Sequence, residues 1–160
     1  VRNDSPLNLA NKRLFKLCER DTLMKKDIEK CASIVLFNKL DEVLILFRSP
    51  HIKQWMPGKW SIPGGHLWEG EGEKAGAARE MFEETGLFVP LDSLQLIERR
   101  GRMAFYTSEE FYGRIVLDEY ENTGYVWASE EVLDNVDGVP QLRHTVSMAR
   151  QRKIAKKETN

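Results

Sequence analysis

Between Gly65 and Leu87 the chain reads GHLWEGEGEKAGAAREMFEETGL. Written as spacings this is G-x5-E-x7-R-E-(apolar)-x-E-E-x-G-(apolar), with Gly65, Glu71, Arg79, Glu80, Met81, Glu83, Glu84, Gly86 and Leu87 in the specified places. The periodicity predicts a helix over about 71–85. At about 100° per residue, Ala75, Ala78, Met81, Phe82 and Thr85 fall on one side. Glu80, Glu83 and Glu84 fall on the other, with Glu73 one or two turns earlier on that same side. Carboxylates three and four positions apart repel and weaken a helix. A divalent cation would remove that repulsion, and Mg²⁺ prefers a few carboxylate oxygens plus waters and substrate phosphates to a closed protein cage. A solvated acidic face is the alternative reading of any glutamate run. The flanks favour the metal. Pro63-Gly64-Gly65 follows the β-like Trp60-Ser61-Ile62, where a backbone carbonyl can approach an ion. Gly86 follows the helix as a C-terminal stop, with Pro90 beyond it.

At every specified position this pattern resembles the signature of the Nudix hydrolases. Upstream, Leu44-Ile45-Leu46-Phe47-Arg48-Ser49 and then Pro57-Gly58-Lys59-Trp60 are similar to the family's strand ending in Arg and its Gly-Lys-Trp segment. The resemblance covers about Lys30 to Leu133. It implies an α/β (α+β) fold, an α/β/α sandwich with a mixed central sheet and a loop-helix-loop carrying the site. It further implies that Glu80, Glu83 and Glu84 bind or organise divalent ions, with the carbonyl of Gly65 joining them. Arg79, paired with Glu71, orients the carboxylates, and Gly86 is structural. The implied cofactor is Mg²⁺, with Mn²⁺ as a substitute. The implied reaction is attack of an activated water on a phosphorus of a nucleoside diphosphate linked to a group X. The family's general base varies. In several relatives it is a Glu before a late strand carrying a Trp, and here Glu121, six residues before Trp127, takes that place. Glu119 and Asp118 are the alternatives, and an acidic surface turn is the bland reading. Arg48 and Lys59 are candidates for substrate phosphates, or equally solvent-facing strand-end charges. His66 is a candidate lining residue of the substrate site.

Composition bounds the rest. With 160 residues, 41% apolar and a formal net charge of −1, the chain is long enough for one domain with a buried core. Its apolar runs are of strand length, far short of a membrane span. Cys18 and Cys31 have no nearby His cluster, fitting neither a zinc site nor a disulfide framework, so a reducing cytoplasm is the default compartment. Strands are expected near 31–37, 42–48, 59–62, 94–106, 110–117 and 124–128, the fourth and fifth joined through Thr107-Ser108-Glu109. Ser129 should cap a short helix, and Pro140 should open a terminal helix running to about Lys156. Residues 1–24 are read as an N-terminal extension to a single domain over 25–160: a partner-binding helix, a processed leader or an appended remnant. The basic C-terminal residues, Arg143, Arg150, Arg152, Lys153, Lys156 and Lys157, could touch RNA or phosphate, but such residues are more often a solvated helix face. Among Trp55, Trp60, Trp68, Phe105 and Tyr106, one could stack on a nucleobase; any single one is more often packing.

The resulting expectation is a small-molecule nucleotide substrate and no membrane partner. Nucleoside triphosphates rank first, ahead of dinucleoside polyphosphates, nucleotide sugars and capped RNA. A nucleotide-sensing or protein-interaction module on the same fold is the alternative, and an isoprenoid diphosphate isomerase a further one. Both usually carry a broken or degenerate box, whereas this one is intact. Pairing into a homodimer is left open.

Overall fold

Near-continuous apolar runs, rather than alternating ones, mark strands covered on both faces. The second half of β1 (Lys26–Leu36), from Cys31 on, and most of β2 (Val43–Arg48) are of this kind. The computed structural model describes residues 26–159, so the expected extension over 1–24 lies outside the described residues. In β1, Ala32, Ile34 and Leu36 enter one core cluster, while Val35 and the adjoining Phe37 enter a second on the opposite face. β2 divides likewise, with Leu44 and Leu46 on one side and Val43 and Ile45 on the other.

Two sheets result. β4 (Gly64–Trp68), β1, β6 (Met103–Ser108) and β5 (Gln95–Arg100) form one, in that spatial order. β1 runs antiparallel to β4 and parallel to β6, so the sheet is mixed. β3 (Trp60–Ser61), β2 and β7 (Asn122–Ala128) form the other, antiparallel throughout. Helix α1 (Glu73–Thr85) covers the first cluster, and α2 (Glu130–Asn135) and α3 (Leu142–Thr159) cover the second. This mixed α and β layering is the expected class.

Several local expectations are corrected. The stretch 94–106 is not one strand but most of a hairpin, β5 and β6, because Gly101 takes a left-handed φ of 56° and turns the chain. Residues 110–117 form no strand; their one ladder contact is a bridge between Tyr112 and Phe88. Gly64–Trp68, outside the expected strands, pairs with β1. A Cβ on Gly64 would lie 2.5 Å from the Ala32 carbonyl and 2.6 Å from Ser33 Cα, so only glycine lets the strand in so close. The terminal helix begins at Leu142, because Gln141 adopts φ 64°. Ser129 does cap α2, accepting from the Val132 N–H at 3.3 Å.

The basic C-terminal helix is partly consumed by internal pairing. Arg150 and Lys153 both engage Asp41 in the β1–β2 turn, and Lys153 also meets Glu109 at 2.9 Å. Arg143 pairs with Asp134 at 2.6 Å. Met81, fully buried in the first cluster, is the largest apolar side chain that α1 buries there. Met81→Ala should cost about 2–5 kcal/mol in a denaturant titration; a cost well under 1 kcal/mol would mean that α1 does not depend on this contact.

Candidate metal and hydrolysis site

Helix α1 is sandwiched rather than surface-bound. Ala77, Met81 and Thr85 are buried against the sheet, yet Glu80, Glu83 and Glu84 are also buried, at 8%, 7% and 6% exposure. The helix-wheel expectation is corrected in detail, since Ala75 is exposed and Phe82 only half-buried. Glu73, expected near the carboxylates, instead accepts from Tyr106 Oη at 2.8 Å and from Arg99 at 2.9 Å. Arg99 is the first cause of its depressed pKa. At the other end Gly86, with φ 77°, donates its N–H to the Phe82 carbonyl and stops the helix.

Buried carboxylates need partners, and one guanidinium supplies most of them. Arg79 donates from Nε and Nη2 to the two oxygens of Glu71 at 2.8 and 3.0 Å, a bidentate fork. Its Nη1 reaches Glu80 at 3.0 Å and Glu83 at 3.1 Å, and Nη2 also meets the His66 carbonyl at 2.9 Å. The Trp68 ring lies 4.1 Å from the guanidinium. Burial pulls the Arg79 pKa down, but the Glu71 bonds and the charges of Glu80 and Glu83 outweigh it and hold the group firmly protonated. Glu71 is fixed in turn by the Trp68 N–H at 2.9 Å.

Two glycines admit this packing. A Cβ on Gly65 would sit 2.6 Å from Glu80 Cδ. One on Gly76 would lie 2.1 Å from Leu67 Cδ2 and 2.9 Å from a Glu71 oxygen, which accounts for a glycine inside a helix.

Glu84 is held differently. Its Oε2 accepts the Gly64 N–H at 2.9 Å, and Oε1 lies 3.4 Å from Asn122 Nδ2. The Glu84 carbonyl accepts the Asp118 N–H at 3.0 Å, stitching the 116–122 segment to the end of α1. Burial first, then the neighbouring charge of Glu80, raises the Glu84 pKa well above the usual carboxylate range. The Glu121 charge also contributes to that rise, and Glu121 directly precedes Asn122, whose amide meets Glu84. Glu119 lies in the preceding turn, and Asp118 Oδ1 accepts the Tyr120 N–H at 3.1 Å.

The other candidates separate. Arg48, whose pKa burial lowers while Glu84 and Glu121 support its charge, sits opposite Asn122 in the β2–β7 ladder. It donates to the Trp55 carbonyl and to Gln54 Oε1, each at 2.7 Å. Lys59 is brought to Asp137, at 2.5 Å, rather than to the carboxylates. The His66 ring is exposed, and the residue meets Arg79 through its carbonyl. Trp60 packs on Phe47, Phe105 lies under Arg100, and Tyr106 binds Glu73, whereas Trp55 is 58% exposed beside Arg48. The sequence did not single out Asn122, Gln54 or Gly76; Asn122 meets Glu84 and Gln54 meets Glu121 across long stretches of chain, and no local pattern marks them.

Among the described residues, no three His, Cys, Asp or Glu side chains close around one point. The donor set nonetheless suits an ion that keeps several waters: clustered buried carboxylates, a glycine carbonyl and the buried Asn122 Oδ1, which has no hydrogen-bond partner. A pH signature follows. The native state keeps the Glu84 proton to higher pH than the unfolded chain, whose carboxyl titrates near 4.5. Its contribution is therefore fully present below that value and is lost as pH rises through the folded pKa. Glu73 and Asp41, held low in the folded state, act in the opposite direction at acid pH. In EDTA, Glu84→Gln should therefore gain stability relative to wild type as pH rises above about 5. Parallel melting curves across that range would contradict the assignment.

A family model, the NUDIX domain, matches residues 28–153. A prenyl-diphosphate phosphatase of Methanosarcina mazei is 31% identical over 116 residues, covering 68% of this chain and 68% of that protein. An RNA pyrophosphohydrolase of Bartonella quintana is 28% identical over 102 residues, 61% of this chain and 57% of the relative's length. Among solved structures, the NUDIX domain of Shewanella oneidensis NrtR complexed with ADP ribose superposes with a TM-score of 0.65 at 19% identity, covering 86% of this chain and 97% of that one. No helix among the described residues is long and apolar enough to cross a membrane.

Proposed function

Because the chain belongs to the Nudix hydrolase family, we propose that it hydrolyses the pyrophosphate linkage of an organic diphosphate with Mg²⁺. Nucleoside diphosphate derivatives are the first substrate class. The observation that carries this reading is the burial of Glu80, Glu83 and Glu84 on one helix face beside a glycine strand. The relatives' names, prenyl-diphosphate phosphatase and RNA pyrophosphohydrolase, share that linkage on different organic groups.

Mg²⁺ held by Glu80, Glu83, Glu84 and the Gly65 carbonyl would acidify a water and neutralise phosphoryl charge. Arg79 keeps Glu80 and Glu83 in place, and the Gly64 N–H aims Glu84. As the water oxygen bonds phosphorus and the anhydride P–O bond breaks, Glu121 takes the proton. Arg48, its charge supported by Glu84 and Glu121, meets phosphoryl oxygens of the substrate, and the exposed Trp55 offers a face for stacking.

Product analysis on nucleoside triphosphates, dinucleoside polyphosphates, nucleotide sugars, prenyl diphosphates and 5′-triphosphorylated RNA, with Mg²⁺ or EDTA, tests the reading. Metal-dependent release of phosphate or pyrophosphate from one class supports it and names the substrate. Binding without turnover across the panel would favour a sensing module. Glu121→Gln should lower kcat by about 10²–10⁴-fold with a smaller loss of Mn²⁺ affinity. If Glu119→Gln does so instead, the base is Glu119.

A further inference from the structure

Beyond the carboxylate patch, one side chain links two groups that the proposed reaction needs. β2 and β7 slip register where they reach the site, from Phe47 opposite Gly124 to Arg48 opposite Asn122. Past this bulge the strands are joined by the Ser49 N–H to the Glu121 carbonyl at 2.8 Å. The half-buried Gln54, five residues further along the loop, folds back over the same place. Its Oε1 accepts from Arg48 Nη2 at 2.7 Å, and its Nε2 donates to the Ser49 carbonyl at 2.9 Å and the Glu121 carbonyl at 3.1 Å. The orientation of the amide is forced, since a guanidinium only donates and a carbonyl only accepts.

We propose that Gln54 is a positioning residue, its carboxamide tying Arg48 to the main chain of Glu121 so that cation and base are set against Glu84 together. This rests on the hydrolase reading above. The Arg48 Nε bond to the Trp55 carbonyl closes the same loop from the other side, so removing Gln54 leaves Arg48 one anchor and the Glu121 carbonyl only Ser49. Placement errors of an ångström at a reacting group are costly in rate even when the fold is intact.

Two variants separate the arms. Gln54→Glu can still accept from Arg48 but presents oxygen to the two carbonyls. Gln54→Met removes both arms at similar length. Each is made alone and with Glu121→Gln, and kcat, KM and the pH dependence of kcat are measured with Mg²⁺. Alone, both variants should lower kcat by about tenfold and move the acidic limb of the profile, and only Gln54→Met should also raise KM through Arg48. In the Glu121→Gln background neither should lower kcat further, because the group it positions is gone. Unchanged kcat and profile in the single variants, or losses that multiply in the double variants, would overturn the proposal while leaving the hydrolase reading intact. A wild type without metal-dependent turnover, or a Glu121→Gln variant as fast as wild type, would overturn both this role and the base assignment.

Discussion

Glu84→Gln is expected to lower kcat by about a thousandfold while leaving a folded protein. The carboxyl is 6% exposed and its proton affinity is raised, so in the absence of an ion its charged form is disfavoured. A carboxamide resembles that neutral form in shape and charge. Its oxygen can keep the bond to the Gly64 N–H, and its nitrogen then faces Asn122, whose own amide can turn to offer its unpartnered Oδ1. Metal-free stability should match that of wild type at acid pH and gain on it as pH rises above about 5. What is lost is the anionic oxygen that a divalent ion requires. A kcat in Mg²⁺ equal to wild type would remove Glu84 from the site.

Arg79→Met should act on stability instead, by about 3–5 kcal/mol in EDTA. The guanidinium is 8% exposed and compensates Glu71, Glu80 and Glu83 at once, so its removal leaves three carboxylates with less than their charge requires. The variant should recover on acidification, as those carboxyls protonate, and recover further with Mg²⁺, which replaces one cation by another. Arg79→Lys should rescue only part, since an ammonium cannot reproduce the fork to Glu71. Chemical denaturation with and without Mg²⁺ measures both effects. A loss under 1 kcal/mol, or no response to the ion, would mean that Arg79 does not balance the carboxylates.

What could be read along the chain was local. The α1 helix, its Gly86 stop and the Ser129 cap depend on residues within a turn or two of each other, and spacing reveals them. The family pattern brought the layered α and β architecture with it. Errors fell where a distant partner decides. Gly64 and Gly65 look like loop residues, yet β1 recruits them into a strand, because a residue without Cβ is what the Ala32 carbonyl and Glu80 leave room for. Gly101 turned one long expected strand into a hairpin. The partner of Lys59 in the fold, Asp137, lies far along the chain, where no local spacing points to it. Gln54 and Asn122 carry no periodic signal, since their partners Glu121 and Glu84 lie 67 and 38 residues away.

The most direct test is titration of Mn²⁺ into metal-free wild type and Glu84→Gln protein, followed by the electron paramagnetic resonance of the free ion. Wild type should bind saturably, with Mg²⁺ competing, and the variant at least about tenfold more weakly. Equal binding by the two proteins, or none by the wild type even with a non-hydrolysable diphosphate present, would contradict the claim that the buried face of α1 is a metal site.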